Sequence, residues 1–105
     1  MDDDRAMAFR PAHPGEYLRD DVLPALGMRQ AEFARHLGVT PQSVSELLRE
    51  QRGVTTEMAI RLGKALKNGA RFWLALQLQH DLWLAERSFE GKVEPISWND
   101  AGEAA

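Results

Sequence analysis

Residues 30–49 read QAEFARHLGVTPQSVSELLR, a pattern that predicts two short helices crossing at a steep angle. A small residue is needed where two such helices meet, and Ala34 stands at that place. The turn between them needs a residue that can adopt a positive φ, which Gly38 supplies. Thr40 is a good N-cap, and Pro41 suits the first position of the second helix. The segment is therefore predicted to fold as a helix, a tight turn and a second helix.

The second of these helices has an apolar face that can pack back on the first. Val44 and Leu47 carry this face at the spacing expected for a DNA-binding helix-turn-helix. The motif would extend from about residue 29 to about residue 50, with the second helix ending near Arg49 or Glu50. An ordinary αα-hairpin inside a helical bundle is the structural alternative.

Helical spacing of apolar residues continues on both sides of this pair. A first helix is predicted from Glu16 to Leu26, in which Pro24 should kink or shorten the last turn and which Gly27 closes. A fourth helix begins near residue 56 and ends before the Asn68-Gly69 pair, and a fifth runs from about residue 70 to 88. The expected fold class is all-α, with five helices.

The remaining segments predict a simple organisation. Residues 1–12 show no period and are expected to form a flexible arm. Residues 13–90 form the helical domain, and residues 91–105 form a C-terminal tail. Within the tail, residues 91–96 could be a short strand or an extended arm.

Composition restricts the class of protein. The chain has 105 residues, no cysteine and no run of 18 apolar residues, so we expect one domain without disulfides or a membrane span. The acidic start MDDDRAMAF is unlike a signal peptide, which favours a cytoplasmic protein. His13, His36 and His80 are too scattered for a local metal site, and no glycine-rich phosphate loop occurs. We expect neither catalysis nor a cofactor.

The net charge of −3 would by itself argue against a nucleic-acid ligand. Its distribution favours one, because residues 29–52 carry a net charge of +1 and use only arginine as their basic residue. Arginine suits contacts with phosphates and with guanine.

From Tyr17 to about Leu66 the sequence resembles the phage-repressor-like (XRE, Cro/C1) helix-turn-helix family. In that family a glutamine at the start of the second helix bonds a phosphate, and Gln30 stands there. The resemblance also implies which positions face the bases at the start of the recognition helix. They are Pro41, Gln42, Ser43 and Glu46, with Ser45 as a further candidate.

Pro41 cannot hydrogen-bond a base, so base reading is expected from the residues that follow it. Gln42 can bond adenine through two hydrogen bonds, and Ser43 can donate or accept. Glu46 is open to two interpretations, because it can accept from cytosine but also repels phosphate. In the second interpretation it holds Arg49 or Gln42 in place.

Phosphate contacts are expected at both ends of the recognition helix. Arg49 and Arg52 lie at its far end and in the loop that follows. Thr40 is either a helix cap only or also a phosphate donor.

The flanking segments resemble a narrower group, the HigA-type antitoxins. The segments that carry this resemblance are HPGEYL (residues 13–18), GVTTEMAIRL (53–62), FWL (72–74) and LQHDLW (78–83). The resemblance implies an antitoxin of a type II system that silences a RelE-like, mRNA-cleaving toxin. It also implies a dimer that binds double-stranded operator DNA and represses its own operon. An acidic chain suits a basic toxin surface, and the arm at residues 1–12 could order on such a partner.

The fifth helix predicts a homodimer. Its apolar residues lie on more than one face, and a domain of this size cannot cover all of them. The expected interface residues are Trp73, Leu74, Leu78 and Leu82. A two-fold dimer would also place two recognition helices one DNA turn apart. The intramolecular alternative is that residues 92–98 fold back over this helix, with Trp98 packed on it.

Two other functions remain compatible with the sequence. One is a stand-alone helix-turn-helix repressor without a toxin. The other is a protein-interaction module that has lost DNA binding, which the net negative charge keeps open.

Overall fold

The computed structural model describes residues 9–98, and all regular secondary structure in that range is helical. The first helix, α1, has three consecutive parts, Pro14–Tyr17, Leu18–Val22 and Leu23–Leu26. It is followed by α2 (Gln30–Leu37), α3 (Pro41–Leu48), α4 (Thr56–Leu66) and α5 (Ala70–Ser88). The all-α, five-helix prediction is confirmed. Two boundaries differ, since α1 begins two residues earlier than expected and α3 ends at Leu48.

The middle part of α1, Leu18–Val22, is a π-helical turn. The Leu23 amide donates to the Leu18 carbonyl, five residues back, instead of to the carbonyl four residues back. Pro24 follows directly, and its ring would press on the carbonyl four residues before it in a regular helix. The wider turn gives this ring room, so the disturbance expected at Pro24 lies one turn upstream. The helix then continues to Leu26 and ends at Gly27, whose φ is 63°.

One hydrophobic core joins all five helices. Ala34 is fully buried where α2 and α3 meet, and Val44 and Leu47 are buried against α2. Gly38 has a φ of 78°, as the turn requires. The motif geometry predicted from sequence is confirmed at these four positions. The other buried apolar residues are Leu18, Leu23, Phe33, Leu37, Leu48, Val54, Met58, Ala59, Leu62 and Trp73.

The start of α1 packs tightly against the end of α3. Gly15 is buried, and a Cβ built on it would overlap the carbonyl oxygen of Leu47. The His13 side chain caps α1, because its Nδ1 accepts a hydrogen bond from the Gly15 amide at 2.8 Å. Only a glycine at position 15 lets the two helices come this close.

His13 also contacts α5. Its ring meets that of His80 edge to face, with the centroids 4.9 Å apart, and His80 Nδ1 donates to the Pro11 carbonyl at 3.0 Å. Burial lowers the pKa of His13, and the neighbouring His80 lowers it further. A neutral His13 imidazole is the form that can accept the capping hydrogen bond.

Trp73 belongs to the core and not to a surface. It is 0% exposed, and its Nε1 donates to Asn68 Oδ1 at 2.8 Å. The prediction that Trp73 lies in a dimer interface is therefore wrong, because its own chain already covers the side chain. Leu74 is half-buried against the same core.

The segment after α5 does not cover that helix. Val93 and Ile96 are exposed, and Trp98 is 67% exposed. The fold-back alternative for residues 92–98 is therefore wrong, and residues 91–96 form an extended arm without a strand. The predictions for the arm at residues 1–12 and the tail at residues 91–105 concern segments that lie partly outside the described range. None of the helices within residues 9–98 could span a membrane.

The contact at Gly15 gives a stability prediction. Gly15→Ala should lower the free energy of unfolding by about 3 kcal/mol, because the added methyl group forces α1 away from α3. Thermal or urea unfolding measures this loss. Gly27→Ala is the control, since its Cβ would meet nothing within 4 Å and only its positive φ carries a cost, about 1 kcal/mol. Equal losses in the two variants would contradict the close approach as the cause.

Candidate nucleic-acid interface

Helix α3 divides cleanly into an inward and an outward face. Val44, Leu47 and Leu48 are buried in the core. On the opposite face Pro41 and Gln42 are exposed, while the other candidate side chains, Ser43, Ser45 and Glu46, are partly exposed. The side chains predicted to read bases therefore lie on the face that the domain leaves open.

Thr40 caps the N-terminus of this helix, as predicted. Its Oγ1 accepts from the Ser43 amide at 3.0 Å and lies 2.8 Å from the Ser43 hydroxyl. One hydroxyl of this pair must donate to the other, so the two side chains are held together at the first turn. The turn at the start of the helix is thereby fixed before any ligand binds.

Gln42, Glu46 and Arg52 form a connected group on the outward face, which we call the Glu46 clamp. Gln42 Nε2 donates to Glu46 Oε2 at 2.9 Å. Arg52 donates to Glu46 Oε1 from Nε at 3.0 Å, and its Nη2 lies 2.8 Å from the same oxygen. The hydrogen bond from Gln42 and then that from Arg52 lower the pKa of Glu46, so the carboxylate is ionised. Of the two partners suggested by sequence, Gln42 is found, whereas the arginine is Arg52 and not Arg49.

A left-handed residue brings Arg52 back to Glu46. Glu50 has a φ of 62°, its amide donates to the Leu47 carbonyl, and the Gln51 amide donates to the Glu46 carbonyl at 2.8 Å. This is the Schellman arrangement that reverses the chain after a helix. A left-handed conformation costs a residue other than glycine about 1–2 kcal/mol. The chain tolerates that cost at the point where the loop must turn back along α3.

Two arginines outside the predicted set hold the ends of the motif. Arg19 Nη1, from α1, donates to the Leu48 carbonyl at 2.9 Å and to Glu50 at 3.2 Å. Arg61 Nη1, from α4, donates to the Leu37 carbonyl at 2.7 Å. Sequence reasoning missed both, since their partners lie 29 and 24 residues away. The four-residue spacing of Glu57 and Arg61 gave the only local signal, and that ion pair is present at 2.9 Å.

The other predicted DNA contacts stand apart from the clamp. Gln30 is exposed at the first position of α2, and Arg49 is exposed at the C-terminal cap of α3. Across residues 9–98, the side chains of Gln30, Ser45 and Arg49 form no hydrogen bond or ion pair with the clamp. Their phosphate and base roles therefore stay predictions.

A second exposed face lies on α5. Ala75, Leu78, Leu82 and Ala85 follow one another at intervals of three, four and three residues and so lie on one side of the helix. Leu78 is 63% exposed and Leu82 is 45% exposed. We call this set the α5 face. It keeps two of the four predicted interface residues, with Leu74 at its half-buried edge.

In the part of the chain that the structure describes, no group of three or more His, Cys, Asp or Glu side chains could hold a metal ion.

Comparison with known proteins also indicates a DNA-binding helix-turn-helix domain. A helix-turn-helix family model matches residues 18–73. The relative "Antitoxin HigA-1" of Vibrio cholerae is 39% identical over 86 residues, which are 81% of this chain and 80% of the relative. PA4674 of Pseudomonas aeruginosa, solved in complex with its operator DNA, is 40% identical with a TM-score of 0.77, covering 85% of this chain and 100% of that one. Antitoxin HigA of the same organism, solved with the higBA promoter, is 39% identical with a TM-score of 0.75, covering 84% and 100%.

Proposed function

This chain belongs to the HigA-type antitoxins of the phage-repressor-like helix-turn-helix family, as its sequence predicted, and we propose that it is an autoregulating antitoxin. It binds double-stranded operator DNA of its own operon as a homodimer and represses transcription. It also neutralises a cognate RelE-like, mRNA-cleaving toxin in the cytoplasm. The family is a class of DNA-binding regulators and not of enzymes, so the proposed activity is binding.

The observation that carries the DNA-binding part is the ordered polar face of α3. An α-helix fits the major groove, where Gln42 can meet the N6 and N7 edge of adenine. The Gln42 amide keeps its Oε1 and one N–H for such a contact after donating once to Glu46. Arg49 projects from the C-terminal end of the helix, where a phosphate contact would fix the depth of insertion.

Gln42 and Arg49 should respond differently to substitution. Gln42→Ala should weaken operator binding by about 5- to 150-fold and leave binding to random DNA unchanged, because it removes a base contact. Arg49→Ala should weaken both by a similar factor and lower the slope of log K against log salt by about 0.9, the value for one phosphate. Fluorescence anisotropy with the chain's own promoter and with a scrambled duplex measures both affinities, and repeating it at several salt concentrations gives the slope.

Arg71→Ala is the charge control for this experiment, because it removes an exposed arginine from α5. If the parent protein bound the promoter no better than the scrambled duplex, the protein would fit the alternative of an interaction module without DNA binding. If Gln42→Ala left the preference for the promoter intact, the assignment of the base-reading residue would be wrong.

The α5 face supports the proposed homodimer. Exposed leucines one helical turn apart on a long helix form an apolar surface that a second copy can cover. A two-fold axis through this face would relate two copies of α3, and paired half-sites need that relation. The interface would comprise Leu78 and Leu82, with Leu74 at its edge. Trp73 would support it from the core.

Leu78→Glu should convert the dimer to a monomer, since a buried carboxylate without a partner is strongly unfavourable. We expect the dimer dissociation constant to rise more than tenfold in sedimentation equilibrium, with an unchanged helical circular dichroism spectrum. Gln79→Glu is the matched control, because it adds the same charge at the next, exposed position of α5. A Leu78→Glu variant as dimeric as the Gln79→Glu variant would place the interface elsewhere.

The toxin-binding part rests on family membership and on the net charge of −3, which suits a basic RNA-binding partner. Co-expression should restore growth to cells in which the product of the neighbouring gene is toxic, and the two proteins should co-purify. Gln42→Ala should restore growth equally well, because reading the operator is not needed to cover the toxin. If growth is not restored while operator binding persists, the chain is a stand-alone repressor.

A further inference from the structure

We propose that Glu46 is a positioning residue that sets the selectivity of the recognition helix, and that it does not itself read a base. This inference rests on the proposed operator binding and concerns how the Glu46 clamp achieves it. Glu46 fixes the orientation of the Gln42 amide and restrains Arg52. The operator thereby gains affinity relative to other DNA.

The first step is the orientation of the Gln42 amide. A carboxylate accepts hydrogen bonds and cannot donate them. Glu46 Oε2 therefore bonds only the NH₂ group of Gln42, at 2.9 Å, and a flipped amide would bring two oxygens together. The Oε1 atom of Gln42 must then point away from Glu46, with one N–H remaining beside it. One donor and one acceptor in this fixed order match the adenine edge, and this match is lost when the amide rotates freely.

The second step is the occupancy of the Glu46 carboxylate. Its Oε2 takes the hydrogen bond from Gln42, and its Oε1 takes two nitrogens of Arg52 at 3.0 and 2.8 Å. The side chain is 24% exposed. A carboxylate has about four acceptor positions, and each of the two oxygens already accepts a hydrogen bond here. A cytosine amino group would therefore have to approach a carboxylate whose two oxygens are both already engaged.

The third step concerns charge. Arg52 lies on Glu46, and this ion pair neutralises a carboxylate that would otherwise face the phosphates. The same pair also withholds Arg52 from indiscriminate phosphate contacts. Removing Glu46 would release the Arg52 guanidinium and delete one negative charge. Binding to DNA of any sequence should then become stronger while discrimination declines.

A double-mutant cycle tests this proposal. The parent protein and the Gln42→Ala, Glu46→Ala and double variants are titrated against the promoter, against promoters with each half-site base pair replaced, and against a scrambled duplex, all at one salt concentration. Glu46→Ala should weaken promoter binding about 5-fold or more and strengthen scrambled-duplex binding about 2- to 5-fold. The base preference lost in Glu46→Ala should be the one lost in Gln42→Ala, and the double variant should lose no further preference at that base pair.

Two controls accompany the cycle. Glu90→Ala removes an exposed carboxylate after α5 and accounts for the change in net charge. Glu46→Gln keeps the size of the side chain but loses the charge that holds Arg52, so it should also strengthen scrambled-duplex binding. Thermal unfolding verifies that all variants are folded.

Direct reading of a base by Glu46 predicts a different pattern. Glu46→Ala would then relax the preference at a separate G·C pair, its effect would add to that of Gln42→Ala, and scrambled-duplex binding would match that of Glu90→Ala. Any of these results overturns the positioning role. A parent protein without preference for its promoter would contradict operator binding itself, which distinguishes the two failures.

Discussion

The close approach of Gly15 to the Leu47 carbonyl is the constraint that orients the recognition helix. Because no side chain separates them, the first turn of α1 lies directly on the last turn of α3. The neutral His13 imidazole caps that turn, and its ring contacts His80 on α5. Three helices therefore meet at one buried point. The angle between the outward face of α3 and the α5 face follows from this junction, so in the proposed dimer the spacing of the half-sites would depend on this packing contact.

The two helices of the motif end in the same way. The last carbonyl groups of a helix have no partner within it and attract cations. Arg61 from α4 satisfies the Leu37 carbonyl, and Arg19 from α1 satisfies the Leu48 carbonyl. Each arginine also holds a carboxylate, Glu57 or Glu50, which limits its movement. The motif is thus fixed at its termini by the surrounding helices, while its outward face stays open.

Local sequence patterns were sufficient to predict the helix-turn-helix motif. They were not sufficient to predict the tertiary contacts that hold the motif in place. Ala34, Gly38 and Thr40 were predictable, because crossing, positive φ and capping each depend on one residue type at a short spacing. Trp73 was misplaced because α5 is apolar on several sides, and periodicity does not show which side faces inward. Arg52 was not expected beside Glu46, because a glutamate gives no sign that it will adopt a left-handed conformation at position 50. Contacts that depend on the tertiary structure cannot be predicted from the local sequence pattern.

An acidic chain can approach DNA if the carboxylates near the reading face are already engaged. All three glutamates of residues 29–52 have such partners: Glu32 accepts from the Arg29 amide, Glu46 from Gln42 and Arg52, and Glu50 from Arg19. In contrast, within residues 9–98 the exposed side chains of Arg35 and Arg49 form no hydrogen bond or ion pair and remain available for phosphates. The electrostatic potential at this face is therefore more positive than the net charge of −3 suggests. Negative charge elsewhere then disfavours indiscriminate binding, so the same composition that argued against a DNA ligand supports a selective one.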